Sequence, residues 1–420
     1  MPNNITIPFH RWDYLKITIF GFALTALWQS LHSIILPLRL LDFIPEAQKN
    51  TYLGILTLSG LLLAMFVQPF AGAASDRSWF RRGRRLPYIF IGVIITILLL
   101  PGIGLAGSFA VIFVIYCLLQ VAANTAQGPY QAFIPEMVPA DKHGVASGVK
   151  GLLEITGGIA LVYTASILMD RYSAGDGAGW LWLVLGILQI VLLGAMLATV
   201  FLVREPPVNS GRKRSPLLAA ITHVFSKELW KNHSFVWFLV SRLLVYMAFT
   251  TIQQFALYYL RDVIGVVDPA EATARFTIVA VVGMVLVVWP AGYLSDSIGR
   301  KSLTVISGLL GALGITIIAF SQEYGSILWA AGIIGVAMGI FNSTNWALAT
   351  DFTPKNEEAR YLGIANMATA GGAVLARVIG PVIDFFNGRD PLSGYHFMLL
   401  VCIVYFVAGS AAVIGIKKRS

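Results

Sequence analysis

Four sets of polar residues recur at helical spacing inside otherwise apolar sequence. Gln120, Asn124, Gln127 and Gln131 stand at i, i+4, i+7 and i+11, which places them on one narrow stripe of a helix. Thr25, Gln29 and His32 follow the same rule, with Trp28 beside them. Arg242, Tyr246, Thr250 and Gln253 form a third stripe, with Gln254 adjacent. Asn342 and Asn345, then Trp346, form a fourth. Amides both donate and accept hydrogen bonds, and aromatic faces pack against the apolar side of a sugar ring. This chemistry suits the binding of a neutral, hydroxyl-rich solute. The same residue types also bond helix to helix in lipid, so both readings stand at this point.

Three ionisable residues lie deep in apolar runs: Glu154, Arg242 and Arg377. Such residues mark solute or proton pathways, or pair internally. Glu154 is a candidate proton carrier, and Lys150 one turn earlier is its candidate ion-pair partner. Arg242 could hold a solute oxygen or balance Glu154. Arg377 has Asn366 on its own face, and a lone arginine can also snorkel. His32 could titrate near neutral pH or serve as a hydrogen-bonded wall.

The elements that must position these residues follow from composition. Of 420 residues, 57% are hydrophobic and 12% charged, against roughly 25% charged in a soluble domain. That excludes a soluble enzyme and a disordered chain. Twelve apolar runs are long enough to cross a bilayer: 14–38, 52–74, 87–106, 109–133, 146–169, 180–203, 234–259, 273–294, 303–320, 325–350, 361–386 and 394–416. The first is too long for a signal peptide. The polar break at 204–233 reads as a linker, and Pro216 to Trp230 within it as an interfacial helix. Lysines and arginines crowd the segments on one side. The other side carries only Arg39, Lys49, Arg171, Arg261, Arg275 and Arg389. Both termini are therefore expected in the cytoplasm, with the chain in the plasma (inner) membrane. The net charge of +9 is read the same way, with no nucleic-acid partner. Cys117 and Cys402 read as packing residues.

The two halves repeat. Gly72 to Asp76 recurs as Gly292 to Asp296, and Gly83, Arg84 and Arg85 as Gly299, Arg300 and Lys301. Ala132, Glu136 and Pro139 recur as Ala347, Asp351 and Pro354. Three blocks in one order indicate duplication in parallel orientation.

The Gly-x-x-x-Asp pattern followed by a basic Gly-Arg turn, present in both halves, resembles the signature of the major facilitator superfamily. The resemblance spans the whole chain. It implies a central cavity lined by the first, fourth, seventh and tenth spans. It also implies a cytoplasmic gate formed by Asp76 and Asp296 with Arg84, Arg85, Arg300 and Lys301. Solvated loop charges are the plain alternative for these residues. Val67 to Gly72, Ser75 to Arg77, Arg82 to Ile89 and Asn124 to Pro129 are similar to the glycoside–cation symporters, nearest the sucrose-transporter-like branch. That branch carries charged residues where this chain has Gln120 and Gln131, so its coupling chemistry does not carry over.

The expected fold is an all-α integral membrane protein, with twelve helices in two parallel-repeat six-helix halves around a central cavity. The halves are 1–203 and 234–420, joined by the linker. The expected function is secondary transport of a small polar solute, a sugar or glycoside by class, with a coupling proton or cation. The chain is expected to act as a monomer. A proton-coupled drug or metabolite exporter is one alternative, weakened by the lack of a Gly-Pro pair in the fifth span. A scaffold or pigment-delivery protein is another. No Walker loop, metal-ligand cluster or Gly-x-Ser-x-Gly motif occurs, so no cofactor, metal or enzyme activity is expected. Gly335 and Gly339 read as close helix packing.

Overall fold

A computed structural model describes residues 10–76, 78, 83–205, 232–352 and 358–416, with side chains except at 140, 296, 350–352 and 358–360. The described residues hold twelve helices apolar and long enough to span a membrane: α1 (Arg11–Leu40), α2 (Glu46–Asp76), α3 (Leu86–Leu105), α4 (Phe109–Met137), α5 (His143–Ser173), α6 (Gly179–Leu202), α7 (His233–Ile264), α8 (Pro269–Ser295), α9 (Arg300–Phe320), α10 (Tyr324–Ala349), α11 (Tyr361–Asn387) and α12 (Ser393–Ile414). Large apolar side chains such as Leu98, Ile190, Phe201 and Trp289 are more than two-thirds exposed on these helices. Helices bond their own backbone, so the surface around them can be given to lipid. The segment 216–230 lies outside the described residues.

Several helices depart from the regular repeat where the sequence reading assumed 100° per residue. α1 contains a π-helical stretch at Leu31–Ile35, and α7 ends in another at Leu260–Ile264. α11 tightens to a 3-10 turn at Ala376–Ile379. Each changes the direction of the side chains beyond it. α4 runs to Met137 and not to 133, because a short turn at Phe133–Met137 continues past Ala132. This extension puts Glu136 on a helix end and not in a loop.

The chain forms two compact units. The first comprises residues 1–35 and 59–213, and the second 36–58 and 214–420. The first is built from most of α1, the later part of α2, and α3 to α6. The second takes α7 to α12, together with the end of α1 and the start of α2.

That early segment is bound by side chains of the second unit. Tyr258 donates to the Pro37 carbonyl at 2.7 Å. Asp384 accepts from the Thr51 amide at 2.6 Å and from Asn50 Nδ2 at 2.8 Å. The Thr51 amide lies in the first turn of the α-helical part of α2, which begins at Lys49, where backbone N–H groups lack a partner within the helix and favour a carboxylate. Asp262 pairs with Lys49 at 2.5 Å and accepts from the Tyr395 hydroxyl at 2.5 Å.

Elsewhere in the second unit, Phe235, Phe238, Leu348, Tyr361, Ala365 and Val413 form a buried apolar cluster. Gly335 and Gly339 of α10 lie against the backbone of α8 at Ala280 and Met284. The GxxxG thus serves packing inside this unit.

Candidate functional site

In the first unit, three of the amides read from sequence, Gln120, Asn124 and Gln131, join into one chain of hydrogen bonds. Gln131 Nε2 donates to Gln68 Oε1 at 3.3 Å, and Gln68 Nε2 to Asn124 Oδ1 at 2.5 Å. Asn124 Nδ2 donates to Gln120 Oε1 at 2.9 Å and to the Gln120 carbonyl at 2.7 Å. Gln120 Nε2 donates to the Tyr116 hydroxyl at 2.7 Å. His32 Nε2 lies 2.8 Å from that hydroxyl. Because the hydroxyl accepts from Gln120, its own proton is available to the imidazole. The amide donors all point the same way, from Gln131 to the Tyr116 hydroxyl. Each amide fixes the orientation of the next.

Local features hold this chain in place. The π-helical stretch of α1 contains His32, whose ring stacks on Trp28 at 5.3 Å between centroids. Gly60 leaves room for Tyr116: a Cβ there would lie 2.4 Å from the Tyr116 ring. Gln120 and Asn124 are buried, at 2% and 1% exposure, so the middle of the α4 stripe is held within the unit. Gln29, His32 and Gln127 are half-buried and Gln131 is exposed. Tyr116 and Gln68 were absent from the sequence-derived set. Tyr116 does continue the α4 stripe, four residues before Gln120. Gln68 stands alone in an apolar stretch, and its role follows only from packing.

Tyr116→Phe should keep the ring packing and lose the junction of three polar groups. A loss of about 1–2 kcal/mol in stability is expected, read as a lower thermal unfolding midpoint. A wild-type midpoint would show that the hydroxyl contributes nothing.

Glu154 of α5 sits in a separate cluster of this unit. Lys150 Nζ lies 3.6 Å from its carboxylate, and Lys150 also lies over the Tyr130 ring at 5.3 Å. The Tyr130 hydroxyl accepts from the Gly21 amide at 3.1 Å and donates to the Thr18 carbonyl at 3.0 Å. A Cβ at Gly21 would lie 2.9 Å from Glu154 Oε1, so this carboxylate reaches the backbone of α1. About a third of the Glu154 side chain is exposed.

In the second unit, α7, α10 and α11 bring Arg242, Tyr246, Asn342, Asn345 and Trp346 together with Thr369. Arg242 Nε donates to Thr369 Oγ1 at 2.7 Å, and Nη1 donates to Asn345 Oδ1. The Tyr246 hydroxyl donates to Asn342 Oδ1 at 2.6 Å. Thr369 is a partner that the sequence did not single out. Gln253, farther along α7, is half-buried. Arg377 is buried in the 3-10 turn of α11 and donates to the Ala373 carbonyl, while Asn366 is exposed.

The basic turns are organised differently in the two units. In the first, Arg85 is 3% exposed. Its Nη2 lies 2.7 Å from Asp76 and 2.6 Å from Glu136, and its Nε donates to Glu136 Oε2 at 2.7 Å. Arg84 Nη2 also reaches Glu136 at 2.6 Å. Glu205, just past α6, accepts from the amides of Arg84, Arg85 and Leu86 at 2.7–3.1 Å. It thereby caps α3 with a negative charge where the helix has free N–H groups. The sequence pointed to Asp76, Arg84 and Arg85. Glu136 was visible as a repeated acidic position, and Glu205 only as linker. In the second unit, Arg300 Nη1 donates to the Ala347 carbonyl at 2.9 Å, and Lys301 Nζ donates to the Ile416 carbonyl. Both cations lie against helix C-terminal regions. The side chain of Asp296 lies outside the described residues.

Twelve apolar helices, polar clusters within them and duplicated charged turns define a multispan membrane transport protein. The family model described as the Major Facilitator Superfamily matches residues 13–377 and 267–414. The chain belongs to that superfamily. It is 34% identical over 145 residues to the minor myo-inositol transporter IolF of Bacillus subtilis (strain 168), a match covering 34% of this chain and 32% of that protein. It is 23% identical over 429 residues to the cis,cis-muconate transport protein of Acinetobacter baylyi (strain ATCC 33305 / BD413 / ADP1), covering 98% and 95% of the two chains. The solved nucleoside transporter NupG shares the fold, with a TM-score of 0.75 at 15% identity over 97% of this chain and 99% of that one.

Proposed function

We propose that this protein is a secondary transporter of a small polar solute of the sugar, glycoside or polyol class, driven by symport with a proton or cation. The observation that carries this reading is the hydrogen-bonded chain of amides, a hydroxyl and an imidazole from Gln131 to His32. Polar side chains inside a membrane protein mark a solute pathway or bond helix to helix, and the half-buried and exposed ends of this chain, His32 and Gln131, favour the pathway. The relative named for myo-inositol and the nucleoside transporter of like fold support a hydroxyl-bearing solute.

Glu154 is the coupling residue in this reading, releasing Lys150 when it takes a proton. The Asp76, Arg85 and Glu136 cluster forms the gate at the cytoplasmic end. The sequence halves 1–203 and 234–420 alternate access as a monomer in the plasma membrane, with both termini inside.

The test is uptake into proteoliposomes under an imposed proton gradient, with radiolabelled sugars, glycosides and polyols, in the presence and absence of sodium. Gradient-dependent accumulation of one of these is expected. Outward movement of dyes or drugs, with no uptake of any polar solute, would replace this reading with an exporter. Glu154→Gln should abolish gradient-driven accumulation and leave solute exchange intact. Full accumulation by this variant would assign Glu154 a structural role.

A further inference from the structure

The second unit holds a buried cation that pairs with none of the carboxylates among its described residues. Arg242 is 2% exposed. The ion pairs of this unit engage Asp42, Glu46, Asp262 and Glu271, and none of them reaches Arg242 among the described residues. Its acceptors are the neutral Thr369 hydroxyl and Asn345 carbonyl. A guanidinium has five N–H donors in a planar fork, and these two bonds use two of them. Buried charges are ordinarily paired, because hydrogen bonds to neutral acceptors and aromatic faces replace only part of the solvation an ion loses on leaving water.

A second donor stands beside it in the same condition. Asn345 is fully buried, and its Nδ2 has no hydrogen-bond partner among the described residues. Its amide orientation is set by Arg242, which must meet the oxygen and not the nitrogen. The unused N–H therefore lies one amide away from the guanidinium. Two aromatic rings complete the surroundings: Trp346 at 4.8 Å and Tyr246 at 5.5 Å from the guanidinium carbon. Trp346 is 40% exposed and forms the outward flank. Tyr246 is held by its bond to Asn342.

We propose that Arg242 and Asn345 form a subsite for the carboxylate of the transported solute, with Trp346 and Tyr246 as its cover. A neutral oxygen would satisfy the Asn345 amide but would leave the guanidinium without its counter-charge. A carboxylate supplies both, with two coplanar oxygens matched to the arginine fork. This inference rests on the transporter reading above and narrows its solute from neutral polyols to those that also carry an acid group, such as a sugar acid.

The test uses the purified full chain and matched pairs: glucuronate with glucose, gluconate with sorbitol, adipate with adipamide, and benzoate with benzamide. Binding is read by thermal unfolding and by tryptophan fluorescence. At least one acid is expected to bind about tenfold or more tighter than its neutral partner. Asn345→Asp gives Arg242 a carboxylate of its own, so it should remove that preference while melting at or above the wild-type temperature. Trp346→Phe should reduce the fluorescence change on binding. The subsite is overturned if no acid outbinds its neutral partner, or if the preference survives Asn345→Asp. Counterflow separates the two readings. Neutral solutes that exchange without competition from any acid leave the transporter and remove the subsite. Acid-selective binding with no exchange of any solute leaves the subsite and removes the transporter.

Discussion

Arg85→Gln is expected to cut turnover at least about tenfold while moving solute affinity little. Arg85 is the buried hub of its cluster, in contact with both Asp76 and Glu136. Its removal leaves Glu136 to Arg84 alone and Asp76 without its partner in this cluster. Breaking a buried pair from one side costs about 3–5 kcal/mol. Glu136 is a quarter exposed and Asp76 half exposed, so about 2–3 kcal/mol is expected after solvent screening. The unfolding midpoint should fall accordingly. Adding Asp76→Asn to Arg85→Gln removes the stranded charge and should restore part of the stability, though not the turnover. Wild-type transport by Arg85→Gln would make the cluster a solvated loop and nothing more.

The second large effect is steric. At Gly335 an added Cβ would lie 2.0 Å from the Ala280 carbonyl oxygen and 2.7 Å from its carbon. The obstacle is backbone, so no side-chain rotation relieves it. α10 and α8 would have to separate along a seam that also includes Gly339 against Met284. Overpacking in a core costs about 1–3 kcal/mol, and a whole helix pair must move here. Gly335→Val should therefore yield little folded protein. Gly332, one turn earlier on the same helix, is the control: a Cβ there meets only Val279 Cγ1, at 3.6 Å. Gly332→Ala should be neutral or stabilising, since alanine favours the helix by about 1 kcal/mol. Equal folded yields for the two variants, measured by size exclusion in detergent, would refute the close-packing account.

The spans, their number and the charged turns were legible because hydrocarbon imposes long apolar runs whatever the tertiary details. The α4 stripe was legible for a similar reason, since Gln120, Asn124 and Gln131 lie on a helix regular enough for angular arithmetic. That arithmetic says nothing of depth. Gln120 and Asn124 turn out to be buried, whereas Gln127 is half-buried and Gln131 exposed. His32 shows another limit: its direction depends on a π-helical stretch that its own sequence does not announce. Gln68, Glu205 and Thr369 were missed because each works through a distant segment. Glu205, for instance, satisfies amides about 120 residues earlier in the chain.

The binding of residues 36–58 by the second unit sets an order in time. Asn50 finds Asp384 only 334 residues later, and Pro37 finds Tyr258 only 221 residues later. At ribosomal rates of about 5–20 residues per second, the first of these waits roughly 20–70 s for its partner to be made. During synthesis Lys49, 4% exposed when folded, stands uncovered while the rest of its half assembles. The two repeats therefore do not mature as independent beads on a string. The last helices to leave the ribosome complete the first.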